Sequence, residues 1–331
     1  MTDMHSTSPL VSVVVIFLNE ERFLNEAIAS VQNQTFDCWE LLLVDDGSTD
    51  GSADIARSAV NEQPHRIRLL SHHDGGNHGM SAARNLALDA AKGRFVAFLD
   101  GDDVWLPGKL VHQVELARRH PSAAMVVAPL LRWHRWTGEP DAADLEDIMG
   151  VGRRKFGRHP YAGRLVKPPD LVRLMLDDDY FIPGGALIRR DVLNAVGGYH
   201  NEFRSLYEDA VVMMRIASLY PVFVDDRIHY LYRMHPASST TIESSSPTID
   251  RKRKAYLDTT EDHLRNSDLM TPALERALAK ARRSTHKRRH RSTRLLGIGR
   301  AIGRKVMPRS FRDALRARWR QMTRPEVADG R

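Results

Sequence analysis

The stretch Arg94-Phe-Val-Ala-Phe-Leu-Asp-Gly-Asp-Asp103 restricts the folds open to this chain more than any other. Phe95 to Leu99 is an unbroken apolar run with Gly93 before it and Gly101 after it, which reads as a buried strand. A strand this apolar is covered on both faces, so it predicts a central, parallel position in a sheet. Asp100, Asp102 and Asp103 run out of its carboxyl end, where open α/β sheets place their ligands. Close carboxylates repel unless a cation sits between them, and hard oxygen donors suit Mg²⁺ or Mn²⁺ bridging phosphates. Taken alone, Asp-Gly-Asp-Asp is also good turn and helix-capping chemistry ahead of Pro107.

The residues upstream repeat the theme. Val11 to Leu18 (VSVVVIFL) predicts a β-branched buried strand ending in Asn19-Glu20-Glu21, and Phe23, Leu24, Ala27, Ile28 and Val31 follow at helical spacing. Trp39 to Val44 predicts a second strand ending in Asp45-Asp46-Gly47-Ser48. Ser52 to Val60 then reads as helix and Ile67 to Leu70 as a short strand. The loop Gly75-Gly76-Asn77-His78-Gly79 leads into Ser81-Ala82-Ala83-Arg84-Asn85 and an alanine-rich helix. Such alternation with short loops predicts a parallel α/β sheet. No loop is a GxGxxG or a GxxxxGK[ST], so the sheet offers carboxylates instead of a glycine cradle. Asp46 suits a base edge or a ribose hydroxyl, because an ionised carboxylate only accepts hydrogen bonds.

Beyond the opening strand, Met125 to Leu130 predicts another strand. Arg132-Trp133-His134-Arg135-Trp136 then forms an aromatic and basic cluster, readable as an acceptor surface or as a half-buried strand edge. Arg190 to Val196 predicts a helix. In Tyr207-Glu208-Asp209 two acids open a further helix, a place where the dipole stabilises carboxylates, with a general base at Asp209 as the sharper alternative. Val222 to Val224 and Ile228 to Tyr232 read as short strands ahead of Arg233-Met-His235-Pro236.

The ordered series VSVVVIFLNE, ELLLVDDGSTDGS, GMSAARNLAL, GRFVAFLDGDDVWLPGKL, GGALIRRDVLNAVGGYHNEF, YEDAVVMMRIA and YRMHPASST resembles a family 2 glycosyltransferase over about residues 9–240. The resemblance implies a GT-A fold, with a mostly parallel central sheet flanked by helices. It also implies inverting transfer of a sugar from a nucleotide-diphospho-sugar to a hydroxyl acceptor. Carried onto these positions, it makes Asp46 a base-binding residue, Asp102 and Asp103 the metal-diphosphate motif, and Asp209 the catalytic base. His235 would complete the metal shell or touch the diphosphate. Arg84 would meet the phosphates or ribose, or pair with an aspartate. Glu208 is grouped with the substrate-binding residues and is the next candidate for the base. Divalent Mg²⁺ or Mn²⁺ is the expected cofactor, and a saccharide or lipid-linked acceptor the expected partner.

Charge divides the chain. From Arg276 onward there are 19 Lys+Arg against 3 Asp+Glu, so the net +7 of the whole chain hides an acidic body of net −9. Segments 250–265 and 271–291 predict helices, the second built almost wholly of surface-type residues. Leu295, Ile298, Ile302 and Val306, then Phe311, Leu315, Trp319 and Met322, recur every three or four residues against an arginine-rich face. That pattern predicts either helices lying on an anionic membrane or a face packed on the body. The tail carries phosphate-neutralising charge but no base-reading module, which weighs against nucleic acid as its partner. A non-catalytic nucleotide-sugar binder is the other alternative, opposed by the intact Asp46, Asp102, Asp103 and Asp209. The single cysteine, Cys38, excludes an internal disulfide and points to a reducing cytoplasm. Residues 1–8 show no signal-peptide pattern, and the longest apolar runs fall far short of the roughly 18 residues that span a bilayer. The expected organisation is a disordered 1–8, a catalytic domain over 9–240, a linker and helix over 241–275 and a basic amphipathic tail over 276–331. The expected location is cytoplasmic, peripheral to the inner face of the cell membrane.

Overall fold

The computed structural model describes residues 8–134, 136, 161–177, 185–244 and 246–284, together with three short strands between 147 and 158. The first part alternates strand and helix as β1 (Val11–Phe17), α1 (Leu24–Gln32), β2 (Trp39–Asp45), α2 (Ser52–Glu62), β3 (Ile67–Ser71), α3 (Met80–Ala90) and β4 (Phe95–Asp100). Next come β5 (Val104–Trp105), α4 (Lys109–Arg119), β6 (Met125–Val127), β7 (Leu130–Trp133) and β8 (Asp147–Met149). A small separate pair follows, β9 (Arg153–Arg154) and β10 (Gly157–Arg158), then β11 (Arg164–Val166) and α5 (Asp170–Asp177). The chain continues through β12 (Leu187–Arg189), α6 (Arg190–Ala195), α7 (Glu208–Leu219), β13 (Val222–Val224) and β14 (Tyr230–Arg233). Three helices close the described chain: α8 (Ser239–Ser244), α9 (Ile249–Asn266) and α10 (Pro272–Ser284).

The main sheet runs in the order β11-β13-β6-β12-β4-β1-β2-β3. Six of its strands, β3, β2, β1, β4, β6 and β13, point one way, while β12 and β11 oppose them. The central register sets Val14 beside both Leu42 and Phe98. Side chains alternate strictly across it. Val11, Val13, Val15, Leu41, Leu43, Ala97 and Leu99 join one core with α1, α2 and α4, and Val14, Leu42, Val44, Val96 and Phe98 join the other with α3, α7, α9 and α10. Covering both faces is what lets continuous apolar runs serve as strands here. Leu42 is fully buried between the layers, and its truncation to Ala would cost about 2–5 kcal/mol.

Three expectations need correction. The strand β4 is central, but β12 lies antiparallel on one side of it, so its surroundings are only half parallel. The single strand expected over Met125 to Leu130 is two: β6 belongs to the main sheet and β7 to a second sheet, β5-β14-β7-β8. Pro129, with no N–H to give a ladder, sits at the break. The segment thought to be all surface buries Leu274, Ala277, Leu278 and Ala281 along one face of α10, packed into the core shared with α5 and α9. Two of those positions are alanine, too small to mark an apolar stripe in an arginine-rich sequence. The boundary drawn between 275 and 276 therefore falls inside α10, and residues 285–331, with both apolar stripes of the tail, lie outside the described residues.

Candidate active site

Asp100, Asp102 and Asp103 leave β4 toward three different partners. Asp103 is wholly buried: Tyr230 Oη donates to its Oδ2 at 2.7 Å and Arg233 N to its Oδ1 at 2.7 Å. Both donors come from β14, which pairs with β5 just after the acidic turn, so the second sheet exists at the point where it can grip this carboxylate. Burial, followed by Asp102 and Asp100, pushes the Asp103 carboxyl well above the usual range, against the pull of the two donors. Asp103, one of the two aspartates of the expected metal-diphosphate motif, thus accepts a protein hydrogen bond on each oxygen. Asp102 is placed differently. Its Oδ2 lies 3.0 Å from His235 Nε2, with side-chain exposures of 15% and 6%. These are the two expected ligands that converge.

Glu20 is the acid that sequence reasoning passed over. The parallel pairing of β1 with β4 sets the turn after β1 against the acidic turn, and a Cβ added to Gly101 would meet Glu20 Cγ at 3.4 Å. Burial pushes the Glu20 carboxyl up to about 8, helped by Asp102, Asp100 and Asp50 and opposed by Arg233. The signal was present as Asn19-Glu20 at a strand end, but its meaning depends on which strand lies next to β1.

Asp46 is 5% exposed and closes the glycine-rich loop. His78 N donates to its Oδ1 and Gly79 N to its Oδ2, each at 2.9 Å. Gly79 stands at φ +91°, where a Cβ would lie 2.8 Å from that of Arg204, so no other residue fits. The imidazoles of His72 and His78 lie 4.1 Å apart beside this carboxylate, with His72 Nε2 3.6 Å from Asp46 Oδ1. Neither histidine was singled out in the sequence; they fall at one place only once the loop is folded.

Arg84 makes the aspartate pairing that was one of the roles left open for it. From α3 it reaches Asp100 Oδ1 through Nη2 and Glu208 Oε1 through Nη1, each at 2.8 Å. Burial works against its charge, yet Asp100 and Glu208 hold it above even its ordinary value. Glu208 is pushed up by burial and drawn back by Arg84. Asp209, beside it in the first turn of α7, is raised well above the carboxylate range by burial and then by Glu208, with Arg84 opposing. Its Oδ1 accepts Ala210 N at 2.7 Å. Tyr207 leads into this turn with φ 74°, a left-handed conformation unusual for a bulky residue, and stacks on Tyr256 with ring centroids 5.3 Å apart.

The model of glycosyl transferase family 2 matches residues 12–197, more than half of the chain. The chain belongs to this family. An uncharacterized glycosyltransferase of Bacillus subtilis, EpsJ, is 41% identical over 261 residues, 75% of this chain and 68% of EpsJ. The UDP-Glc:α-D-GlcNAc-diphosphoundecaprenol β-1,3-glucosyltransferase WfgD of Escherichia coli is 42% identical over 108 residues, 32% of this chain and 40% of WfgD. The matches to five such relatives cover only 32% to 43% of those proteins' own length. Among solved structures, that of S. aureus TarS 1-349 in complex with UDP-GlcNAc has a TM-score of 0.60 at 19% identity, covering 83% of this chain and 72% of the TarS 1-349 chain. That likeness is one of fold, and the mixed sheet flanked by helices is a family 2, GT-A-type arrangement.

Within this glycosyl transferase family 2 chain, Glu208, Asp209 and His235 lie beyond the matched segment, and it is the tertiary contacts of Arg84 and Asp102 that tie them to it. The aromatic cluster is not a strand edge: Trp133 lies on β7, which is paired on both sides, by β14 and β8. Trp133 and Trp136 face inward, and with Phe23 they surround the Arg233 guanidinium at 4.5 to 5.3 Å. Arg233 Nη2 pairs with Glu26 at 2.7 Å and Nε donates to the Asp102 carbonyl at 2.7 Å. The cluster therefore positions the acidic turn.

Proposed function

We propose that this family 2 member transfers a glycosyl group, with inversion, from a nucleotide-diphospho-sugar to a hydroxyl of a saccharide or lipid-linked acceptor in cell-surface polysaccharide or glycolipid synthesis. The observation that carries the reading is the Arg84 bridge, which ties the acidic end of β4 to Glu208 and so brings the α7 acids to the same end of the sheet. The name of WfgD supports a lipid-linked acceptor.

Asp209 serves as the general base that takes the acceptor proton. Burial and Glu208 raise its affinity for a proton, which suits a base operating near neutral pH. Glu208, its neighbour in the same turn, is paired with Arg84 at 2.8 Å. Asp46 shapes the nucleotide pocket through the loop it closes. For a divalent cation, Mg²⁺ or Mn²⁺, the fit is read from Asp102 and His235: an oxygen and an imidazole nitrogen 3.0 Å apart suit one shared ion, and the Glu20 carboxyl beside them is pushed up to about 8 by burial and then by Asp102 and Asp100. Asp102 and His235 would hold it, and Asp103 fixes their turn from below. Once bound, such a cation neutralises charge on the diphosphate. No helix among the described residues is long and apolar enough to cross a membrane, and the net +16 over 276–331 supports peripheral attachment to an anionic membrane surface.

The test is a panel of nucleotide sugars offered to chelator-treated protein, with and without Mn²⁺ or Mg²⁺, reading release of nucleoside diphosphate. The expected result is release from one donor class, only with the cation. Full activity in excess chelator removes the metal role. Binding without turnover by any donor and acceptor leaves a non-catalytic binder.

A further inference from the structure

We propose that His112, Asp225 and His229 form a second cation site, built for a borderline transition metal such as Zn²⁺ and separate from the acidic turn. His112 comes from the first turn of α4, Asp225 directly follows β13, and His229 directly precedes β14. One donor atom from each of the three lies within 4.8 Å of the other two, the only such group of three among the described residues. His112 Nε2 is 3.0 Å from Asp225 Oδ2, and the two imidazole rings are 5.0 Å apart. Two imidazoles and one carboxylate are the ligand set of many zinc sites, with a fourth position left for water.

Two details go beyond proximity. His229 Nε2 is buried with no hydrogen-bond partner, a position no neighbouring protein group satisfies and a cation would. Asp225 Oδ1 is fixed by Asp226 N at 2.8 Å and Arg227 N at 3.3 Å, which holds Oδ2 toward the histidines as outer-shell donors hold a ligating carboxylate. Coordination through His112 Nε2 needs its lone pair, so the ring proton must sit on Nδ1. Arg227 Nη1, now 3.5 Å from Nδ1, is exposed and can turn away. The buried Lys109, which donates to Gln113 Oε1 at 2.7 Å and lies over Trp105, has its amine pushed down by burial to about 7. The ligand types set the preference: Mg²⁺ takes oxygen ligands, whereas two imidazoles suit Zn²⁺.

The site would pin α4 to the segment joining the two sheets. His229 O accepts Leu106 N at 2.9 Å, and the next residue, Tyr230, is the one that grips Asp103. The experiment is calorimetric titration of chelator-treated full-length protein with Zn²⁺ and, separately, Mg²⁺, on wild type, His112→Gln, Asp225→Asn, His229→Asn and Asp102→Asn. Thermal unfolding is followed with and without Zn²⁺. One Zn²⁺ per chain is expected, raising the unfolding midpoint, with Mg²⁺ giving no competition. His112→Gln and Asp225→Asn, the mildest changes in shape, should lower the affinity by more than the roughly 10- to 100-fold that loss of an outer-shell partner brings. Asp102→Asn should leave it intact. Zn²⁺ binding that survives in His112→Gln and His229→Asn, or that disappears only in Asp102→Asn, overturns the proposal.

Discussion

Tyr230 Oη donates to Asp103 Oδ2 at 2.7 Å from the second sheet, in a position that is wholly buried. With the bond from Arg233 N, it anchors Asp103 to the second sheet, while Asp102 Oδ2 lies against His235; in the proposed site Asp103 steadies the turn and Asp102 meets the cation. Removing the hydroxyl strands a buried carboxylate oxygen, which costs about 1–3 kcal/mol. Tyr230→Phe is therefore expected to lose that much stability in urea unfolding while donor binding still responds to metal. Asp102→Asn should do the reverse, with near-normal stability and no metal response. Equal loss of stability in the two variants would contradict the division.

Arg84 carries a double link in the site, across 16 residues to Asp100 and 124 to Glu208. Breaking a buried ion pair by removing one partner costs about 3–5 kcal/mol. Asp100 is 38% exposed and partly screened, so the low end of that range applies to Arg84→Met. Arg84→Lys cannot span both carboxylates with a fork and should recover little of it. A Lys variant with wild-type stability would mean that charge alone suffices.

Glu20 gives the metal-free protein a pH signature. Its carboxyl is pushed from the ordinary 4.5 up to about 8, first by burial and then by Asp102 and Asp100. The folded state therefore holds a proton that the unfolded chain sheds near 4.5, and stability falls as pH rises from there to about 8. Glu20→Gln removes that slope. In chelator, the variant's thermal midpoint should exceed wild type by more at pH 8 than at pH 5. A constant difference across that range would show that Glu20 stays ionised.

Asp209→Asn deletes a proton acceptor with almost no change in shape. Transfer should fall by at least about 10²-fold, the lower end for general base catalysis, with nucleotide affinity unchanged. Single-turnover rates and equilibrium binding of the nucleoside diphosphate separate the two effects. Near-normal transfer would move the role to Glu208.

The parts of the molecule readable from sequence are those where one residue's neighbours in the chain decide its state. Val11 to Phe17, Trp39 to Val44 and Phe95 to Leu99 are covered on both faces because their composition permits nothing else. Asp46, Arg84, Asp102, Glu208, Asp209 and His235 were located by motif, but what each touches was not. Asp102 and Asp103 are adjacent and chemically identical but differently partnered, and only the arrival of β14 more than a hundred residues later separates them. Glu20 and the group of His112, Asp225 and His229 were invisible for the same reason: each is assembled by pairings between distant segments. The face of α10 escaped notice because alanine buries without announcing itself.

The basic tail remains to be weighed against a membrane, and α10 changes how. Cutting after residue 275 would strip Ala277, Leu278 and Ala281 from the core and leave Leu274 at a frayed end, so loss of stability in that truncation says nothing about the tail. Ending the chain after Ser284 spares the buried face and removes only residues 285–331, which carry 15 Lys+Arg against 3 Asp+Glu. Basic residues close to an anionic surface each add about 1 kcal/mol of attraction, screened by salt, while apolar burial at roughly 25 cal/mol per Å² is not. Full-length protein should float with anionic vesicles at low salt, only partly release at high salt, and release further when Leu315→Glu and Trp319→Glu are combined. The 1–284 chain should keep its thermal midpoint and stay with the soluble fraction. If instead 1–284 unfolds more easily while the full-length chain ignores vesicles, the apolar stripes of the tail pack against the body.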